Sequence, residues 1–316
     1  MTARPILELR ARVRRDLRGV FDGRGFLEVD TPVLSREVLP EAHIEPIAVR
    51  LDGEDEPRFL QASPEALMKR LLSLAAGPIY QFAQAFRAGE RGGQHDVEFM
   101  LLEWYEPGGT LDDAAGLVEA VCSTALGSRG LERVTCRDAF TRHAGVDPFA
   151  VTAEGLERAA ERHGVSLPQG GPAADPDERW DRGFELLLAE VVQPRLGRER
   201  PTMLVDWPAS QAALARIDPA APEVARRFEL FVAGVELANG WEEETSREVL
   251  AERITRANAI RASAGRKVLP LPERLLAAHG DAMPAGFGAA LGFDRLVMLA
   301  AGAESIAAVR CFIHEA

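Results

Sequence analysis

Residues 79–105 read IYQFAQAFRAGERGGQHDVEFMLLEWY, and this stretch decides the fold. Two largely apolar segments, 79–86 and 97–105, flank a Gly-rich loop at 89–93. This arrangement predicts two antiparallel strands joined by a long hairpin loop. Because the chain favours hairpins over regular strand–helix–strand units, we expect an α+β fold with an antiparallel sheet flanked by helices.

The second strand of this hairpin carries the first candidate chemistry. Alternate side chains of a strand share a face, so Phe99, Leu101, Glu103 and Tyr105 are expected to point the same way. A carboxylate and a phenol two residues apart on one face can hold an ammonium group. The alternative is an amphipathic strand whose polar face, including Glu103, lies in water.

Helix signals surround the hairpin. Apolar residues recur at spacings of mostly three and four from Ile6 to Phe21, which predicts an amphipathic helix. Ser63 and Pro64 suit the start of a second helix that runs through Leu72. Further helices are predicted at 111–126, 153–164, 179–192, 246–262 and 271–279, and further strands at 202–206 and 228–238, the last followed by a turn at Asn239-Gly240.

A second carboxylate stands in an apolar strand, because residues 234–240 read GVELANG. Burying Glu236 without a partner would cost several kcal/mol, so we expect it to meet a cation, either Mg²⁺ or a substrate amine. Glu243 follows just past the predicted turn. Glu242 and Glu244 are expected to lie in a solvated part of this turn.

Two arginines are candidates for binding a phosphate. Arg87 ends the first hairpin strand, where it could clamp an α-phosphate. Arg295 lies near a predicted helix start, after the small residues of GFGAALGFD, which let a backbone or ligand approach closely. Each feature also has a simpler interpretation: a surface arginine for Arg87 and a packing role for the glycines.

Composition limits the functions to consider. No apolar run approaches the ~18–20 residues of a membrane span, and the charged N-terminus does not fit a signal peptide, so we expect a cytoplasmic protein. Cys122, Cys136 and Cys311 are scattered and suggest neither a zinc site nor a disulfide framework. The net charge of −12 makes stable tRNA binding unlikely and is compatible with a cationic substrate.

Taken together, three segments resemble the signature motifs of class II aminoacyl-tRNA synthetases, in the same order. They are the N-terminal helix with residues 25–32 (GFLEVDTP), then Phe86-Arg87 through 98–105 (EFMLLEWY), and finally residues 288–296 (GAALGFDRL). Residues 62–65 (ASPE), 102–105 (LEWY) and 234–240 resemble the lysyl branch. The resemblance is strongest to truncated lysyl-tRNA synthetase paralogues that attach a lysine to translation elongation factor P.

This resemblance implies one catalytic domain over 1–316, with a helical and loop insertion at about 140–200. The chain starts directly at the first motif, so no N-terminal anticodon-binding OB-fold is expected. Because the first motif lies at a two-fold interface in class II enzymes, a homodimer is expected. The family prefers β-lysine and has an alanine where lysyl-tRNA synthetases have a glycine, and Ala290 matches that alanine.

The resemblance also assigns site residues. It implies that the amino acid is bound by Ser63, Pro64, Glu65, Glu103, Tyr105, Asn239, Glu243 and Ala290. It implies that ATP is bound by Arg87, Gly89, Glu90, Asp96, Phe99, Glu236, Leu237, Gly292 and Arg295, with Phe99 and Arg295 on the two faces of the adenine. Arg87, Arg295 and Glu236 are the implied catalytic residues, and Glu236 and Glu243 the implied ligands of Mg²⁺.

Several positions depart from the family pattern, among them Trp241 and Glu242, which replace more typical residues after Gly240. Gly89 stands where the family usually has a glutamate, and Glu90 lies one residue further on. Asp96 replaces an asparagine that contacts ATP, which would place a negative charge near the nucleotide. These departures leave the expected activation chemistry in place and put the acceptor in question.

The implied reaction is the ATP-dependent activation of lysine or (R)-β-lysine as its adenylate, followed by transfer to a lysine side chain of elongation factor P. Two alternatives stay open. The adenylate could be transferred to tRNA or to another small acceptor, or the chain could be a catalytically inactive paralogue that binds ATP.

Overall fold

A computed structural model describes residues 3–165 and 176–312 of the chain. The fold has two units, of which the first contains Met1–Gly127 and Glu243–Ala316, and the second contains Ser128–Glu242. The insertion predicted at about 140–200 lies within the second unit, and its residues 166–175 are outside the described part of the chain.

The first unit begins with helix α1 (Ala3–Asp22), which confirms the predicted amphipathic helix and buries Val13, Leu17 and Phe21. Its strands up to Gly127 are β1 (Leu27–Glu28), β2 (Leu34–Ser35), β3 (Ile47–Val49), β4 (Arg58–Leu60), β5 (Ile79–Phe86) and β6 (Glu98–Pro107). Its helices in the same range are α2 (Glu65–Leu72) and α3 (Leu111–Leu126). The helix α3 is fixed by a capping box between Thr110 and Asp113 and ends at Gly127, whose φ is 68°.

In the second unit, a first strand is followed by helices and then by further strands. In chain order they are β7 (Glu132–Thr135), α4 (Cys136–Ala144), α5 (Ala153–Arg162), α6 (Pro176–Leu187), β8 (Thr202–Pro208), β9 (Ile217–Asp218), β10 (Ala221–Val232) and β11 (Val235–Glu242). The helix α6 continues into a π-helical turn at Leu188–Val192.

The turn between β10 and β11 corrects the sequence prediction. It is formed by Ala233 and Gly234, whose φ angles are 53° and 81°, as a two-residue hairpin requires. The predicted turn at Asn239-Gly240 was wrong, because both residues lie inside β11 and pair with β10. Asn-Gly is a strong turn signal, but here the extended pairing with β10 overrides it.

The first unit resumes with α7 (Arg247–Ser263), α8 (Glu273–Ala278), β12 (Gly286–Gly292) and α9 (Phe293–Ala300). The Gly-rich segment before α9 is therefore a strand rather than a turn. In this unit the strands β1-β5-β6-β12 form one sheet, and β2-β4-β3 form a smaller sheet. In the second unit the order is β11-β10-β8-β7, with β9 paired to β10.

The α+β class is confirmed, and the β5–β6 hairpin pairs from Ile79 with Tyr105 to Phe86 with Glu98. The predicted antiparallel arrangement holds for most pairs, but β1 runs parallel to β5 and β7 parallel to β8. Parallel pairing arises because a helical or loop segment returns the chain to the same end of the sheet.

One side chain joins the three motif segments of the first unit. Asp294, at the start of α9, accepts a bond from Arg10 Nη1 of α1 at 2.6 Å and another from the Met100 backbone N–H of β6 at 2.9 Å. Its side chain is almost fully buried. The first helix, the hairpin and the last helix are thereby fixed around one carboxylate.

Candidate functional site

The site is built around the buried carboxylate of Glu103 on β6, which is 1% exposed. Its Oε1 accepts a hydrogen bond from the Tyr105 hydroxyl at 2.6 Å, and its Oε2 accepts one from the Ser63 hydroxyl at 2.7 Å. The predicted shared face of Glu103 and Tyr105 is therefore confirmed. The alternative of a solvated strand face is wrong, because Glu103 and Tyr105 are buried and α2 packs against β6.

A second group of charges stands on α2. Ser63 Oγ accepts a hydrogen bond from the backbone N–H of Glu65 at 3.0 Å. The predicted helix is confirmed, but it begins one residue later than predicted, with Pro64 as its N-cap and Glu65 as its first helical residue. One turn later, Lys69 Nζ lies 2.6 Å from Glu65 Oε1 and 2.7 Å from Glu243 Oε2. We call Ser63, Glu65, Lys69, Glu103, Tyr105 and Glu243 the amine pocket.

The electrostatics of the amine pocket favour a cationic ligand. Burial, with the nearby charge of Glu65, raises the pKa of Glu103 to about 8. Burial and the Glu103 carboxylate raise the pKa of the Tyr105 hydroxyl well above its usual value, so it stays protonated and donates. Lys69 offsets one of the three carboxylates. Once an ammonium ligand ionises Glu103, the pocket carries two negative charges in excess, which matches the two ammonium groups of a diamino acid.

Small residues of β12 let these groups pack closely against the strand. In the pairing of β12 with β6, Gly288 stands opposite Tyr105 and Ala290 opposite Glu103. A Cβ atom on Gly288 would lie 2.4 Å from Glu243 Oε1 and 2.5 Å from the Tyr105 ring. Gly288 was not predicted as a single site residue, but the structure requires glycine there so that the Tyr105 ring and the Glu243 carboxylate can meet.

The residues predicted to bind ATP include a connected cluster formed by the β5–β6 hairpin and the start of α9. The Arg87 guanidinium carbon lies 5.0 Å from the centre of the Phe99 ring, and Arg87 Nη1 is 3.6 Å from Glu90 Oε1. Glu90 Oε2 is 3.5 Å from His95 Nε2, which lies 2.6 Å from Arg295 Nη2. Arg87 and Arg295 thus meet through Glu90 and His95, an arrangement able to hold a polyphosphate.

Asp96 and Gly89, which depart from the family pattern, lie in different surroundings. Asp96 is buried and pairs with Arg310, so its charge has a cationic partner within the protein. Around Gly89, a Cβ atom would meet no other atom within 4 Å. Gly292 ends β12 opposite Leu101 and precedes the first turn of α9.

The remaining predicted residues belong to the second unit and lie on β11. Glu236 is half-buried and Leu237 is buried, while Asn239 accepts a bond from Arg227 Nε at 3.1 Å. The prediction that Glu242 is solvated was wrong. Its carboxylate is buried and pairs with Arg216 at 2.9 Å and Arg226 at 2.6 Å.

Sequence reasoning missed three further groups of the first unit. Lys69 follows Glu65 by four residues on one helix, a spacing that brings side chains together and that could have revealed it. Glu41 is half-buried, and burial raises its pKa to about 7 despite the charge of Arg87. Asp294 lies within the third motif segment, and the sequence does not show that its side chain joins three segments.

Two absences hold for the described residues, 3–165 and 176–312. No group of three or more His, Cys, Asp or Glu side chains there is arranged to hold a metal ion. None of the helices described has the length and apolar character needed to cross a bilayer.

Comparison with known proteins identifies the family of the chain. A family model described as class II tRNA synthetases (D, K and N) matches residues 2–316. A protein of Enterobacter sp. (strain 638) named elongation factor P–(R)-β-lysine ligase is 37% identical over 312 residues, which cover 98% of this chain and 94% of that protein. The protein of the same name from Edwardsiella ictaluri (strain 93-146) is 38% identical over 307 residues, covering 96% and 93%. The chain therefore belongs to the class II tRNA synthetase family for D, K and N, as a homologue of these ligases.

Proposed function

We propose that this protein activates (R)-β-lysine or lysine with ATP and transfers the aminoacyl group to a lysine side chain of elongation factor P. The observation that carries the proposal is the amine pocket, whose three carboxylates and one lysine leave two negative charges for the two ammonium groups of the substrate once its binding ionises Glu103. A pocket of this charge disfavours amino acids with a neutral side chain, since a buried carboxylate without its cation is costly.

The first step forms the adenylate. An oxygen of the amino acid carboxylate attacks the α-phosphorus of ATP, and the bond to the departing pyrophosphate breaks. Arg87 and Arg295 are positioned to stabilise the charge that develops on the phosphate oxygens, so positioning and electrostatics supply the acceleration. Phe99, whose ring stacks with a guanidinium here, offers the flat apolar surface that an adenine requires.

Mg²⁺ would assist this step by neutralising the phosphate oxygens. It usually binds through one or two carboxylates together with substrate phosphates, so a complete protein cage is not required. Glu236 on β11 is the residue we propose for it. Glu243, the second predicted ligand, contacts Lys69, and we therefore propose it chiefly for the amine pocket.

The second step transfers the aminoacyl group. The acceptor amine loses a proton, its nitrogen attacks the acyl carbon, and the bond between that carbon and the AMP oxygen breaks to give an amide and AMP. The names of the homologues support elongation factor P as acceptor. The net charge of −12 supports a protein acceptor over tRNA, since tRNA binding depends on neutralising phosphates with basic residues.

Mass spectrometry of elongation factor P after incubation with this protein, ATP and (R)-β-lysine tests the proposal. We expect one lysine to gain the mass of one lysyl residue, and only when ATP is present. If elongation factor P stays unmodified and tRNA in a parallel reaction becomes aminoacylated, the alternative acceptor is supported. Nucleotide binding without any product would favour an inactive paralogue.

We also propose that the protein forms a homodimer through its first motif. Apolar side chains are exposed near this motif, with Leu27 at 59% and Val33 at 43% exposure, as expected for a surface that a second copy covers. Sedimentation analysis should give a dimer for the wild type and a monomer for Leu27→Glu/Val33→Glu. A monomeric wild type would contradict this part of the proposal.

A further inference from the structure

Lysine is a rare residue in this chain. The sequence has 37 basic residues, and all except Lys69 and Lys267 are arginines. Lys267 lies exposed after α7, whereas the Lys69 side chain is 2% exposed and lies in the amine pocket. The fully buried cation of this pocket is therefore an ammonium group in a protein that otherwise uses guanidinium groups.

The geometry explains why an ammonium group fits. Lys69 Nζ lies between Glu65 Oε1 at 2.6 Å and Glu243 Oε2 at 2.7 Å. A compact point charge on a flexible stem can contact two separate carboxylates at once, whereas the planar guanidinium prefers two oxygens of one carboxylate. Glu65 and Glu243 are distant in sequence, so Lys69 joins α2 to the segment that precedes α7.

Because the Glu65 and Glu243 carboxylates are buried, their arrangement depends on the ammonium group of Lys69. Burial by itself would lower the pKa of Lys69, but the carboxylates of Glu243 and Glu65 outweigh this effect and raise it, so Lys69 remains charged. Without that charge, the carboxylates of Glu65, Glu103 and Glu243 would repel one another in a site shielded from water.

We propose that Lys69 is the positioning residue of the amine pocket. Its ammonium group holds the Glu65 and Glu243 carboxylates where they receive the substrate. It also lowers the negative charge of the three-carboxylate cluster by one. This inference rests on the proposed function, because it assigns the pocket to a diamino acid. Lys69 acts on the substrate through its two carboxylate partners. The residues proposed for ATP, Arg87, Phe99 and Arg295, form a cluster of their own that is connected through Glu90 and His95.

This separation gives a sharp test by ATP–pyrophosphate exchange. Lys69→Met should raise the KM for (R)-β-lysine by about 100-fold, as expected when one partner of a buried charge pair is truncated. The KM for ATP should stay within about twofold of the wild-type value, since only amino acid binding is affected. Lys69→Arg keeps the charge and should give a KM between those of wild type and Lys69→Met. The exposed Lys267→Met is the matched control and should behave as wild type.

The outcomes separate this inference from the proposed function. A wild-type protein that exchanges with neither (R)-β-lysine nor lysine contradicts the proposed function itself. A wild type that exchanges, together with Lys69→Met of unchanged KM for (R)-β-lysine, contradicts the inference alone. Equal loss of ATP and amino acid binding in folded Lys69→Met, or Lys69→Arg no better than Lys69→Met, also contradicts it, because both indicate a general structural role.

Circular dichroism identifies the case in which Lys69→Met is too destabilised to fold. Lys69→Arg then decides the question by itself. An amino acid KM raised by about tenfold with an unchanged KM for ATP supports the inference, since the guanidinium fork cannot reproduce both contacts. Unchanged values for both substrates contradict it.

Discussion

Ala290 lies directly opposite Glu103 where β12 pairs with β6, so its methyl group stands beside the buried carboxylate on the same face of the sheet. The floor of the pocket next to Glu103 is therefore set by the size of one side chain. The neighbouring positions on this strand, Gly288 and Gly292, have no side chain at all.

Changing the size of Ala290 should change amino acid binding selectively. Ala290→Val adds two methyl groups beside Glu103 and should raise the KM for (R)-β-lysine by about tenfold or more, since overfilling a packed site costs about 1–3 kcal/mol. Ala290→Gly should relax the preference between lysine and β-lysine by enlarging the pocket. Exchange kinetics with both amino acids measure these effects. An unchanged KM in Ala290→Val together with an unchanged preference in Ala290→Gly would contradict this role of Ala290.

Gly288→Ala should disrupt the amine pocket. The added Cβ would lie 2.4 Å from Glu243 Oε1, so the carboxylate or the Tyr105 ring must move. We expect a loss of exchange activity of at least about tenfold, because small displacements of positioned groups are costly to catalysis. Gly19→Ala in α1 is the matched control, since no atom lies within 4 Å of its added Cβ, and wild-type activity is expected. Equal activity of the two variants would contradict the assignment.

Binding of (R)-β-lysine should release a proton at neutral pH. The pKa of Glu103 is raised to about 8 in the free site, so below that pH this carboxyl group is largely protonated. An ammonium ligand favours the ionised form, and affinity should therefore increase as pH rises from about 6 towards 8 and then level off. Calorimetry in buffers of different ionisation enthalpy measures the release. Glu103→Gln should abolish most of it, and equal release from this variant would exclude Glu103 as the source.

Asp294→Ala should destabilise the first unit strongly. It leaves the Arg10 guanidinium and the Met100 N–H without their buried partner, and breaking a buried ion pair costs about 3–5 kcal/mol. Urea denaturation of the variant measures the loss. Asp281→Ala, at an exposed position, should stay within about 0.5 kcal/mol of wild type. A similar stability for both variants would show that Asp294 does not join the three segments.

Local sequence patterns were enough for the parts of the site that lie within one element. The two-residue period of β6 placed Glu103 and Tyr105 on one face, and the apolar spacing of α1 gave a helix with the correct buried side. The small residues of β12 indicated a close approach, although the segment is a strand. These features depend on neighbours in sequence, which a pattern records.

Contacts between distant residues could not be predicted in this way. The partner of Glu243 is Lys69, and Glu242 is buried because Arg216 and Arg226 approach it from elsewhere in the second unit. Three consecutive glutamates resemble a solvated turn, and only the course of β11 shows that Glu242 is inside. The pairing of β10 with β11 likewise moved the turn to Ala233-Gly234.

The most direct test of the amine pocket is amino-acid-dependent ATP–pyrophosphate exchange by wild type and Glu103→Gln. We predict exchange with (R)-β-lysine or lysine by the wild type, no comparable exchange with norleucine, and a loss of about 100-fold in kcat/KM in Glu103→Gln, since a buried charged hydrogen bond is removed. Exchange that is as fast with norleucine, or unaffected by Glu103→Gln, would contradict the account.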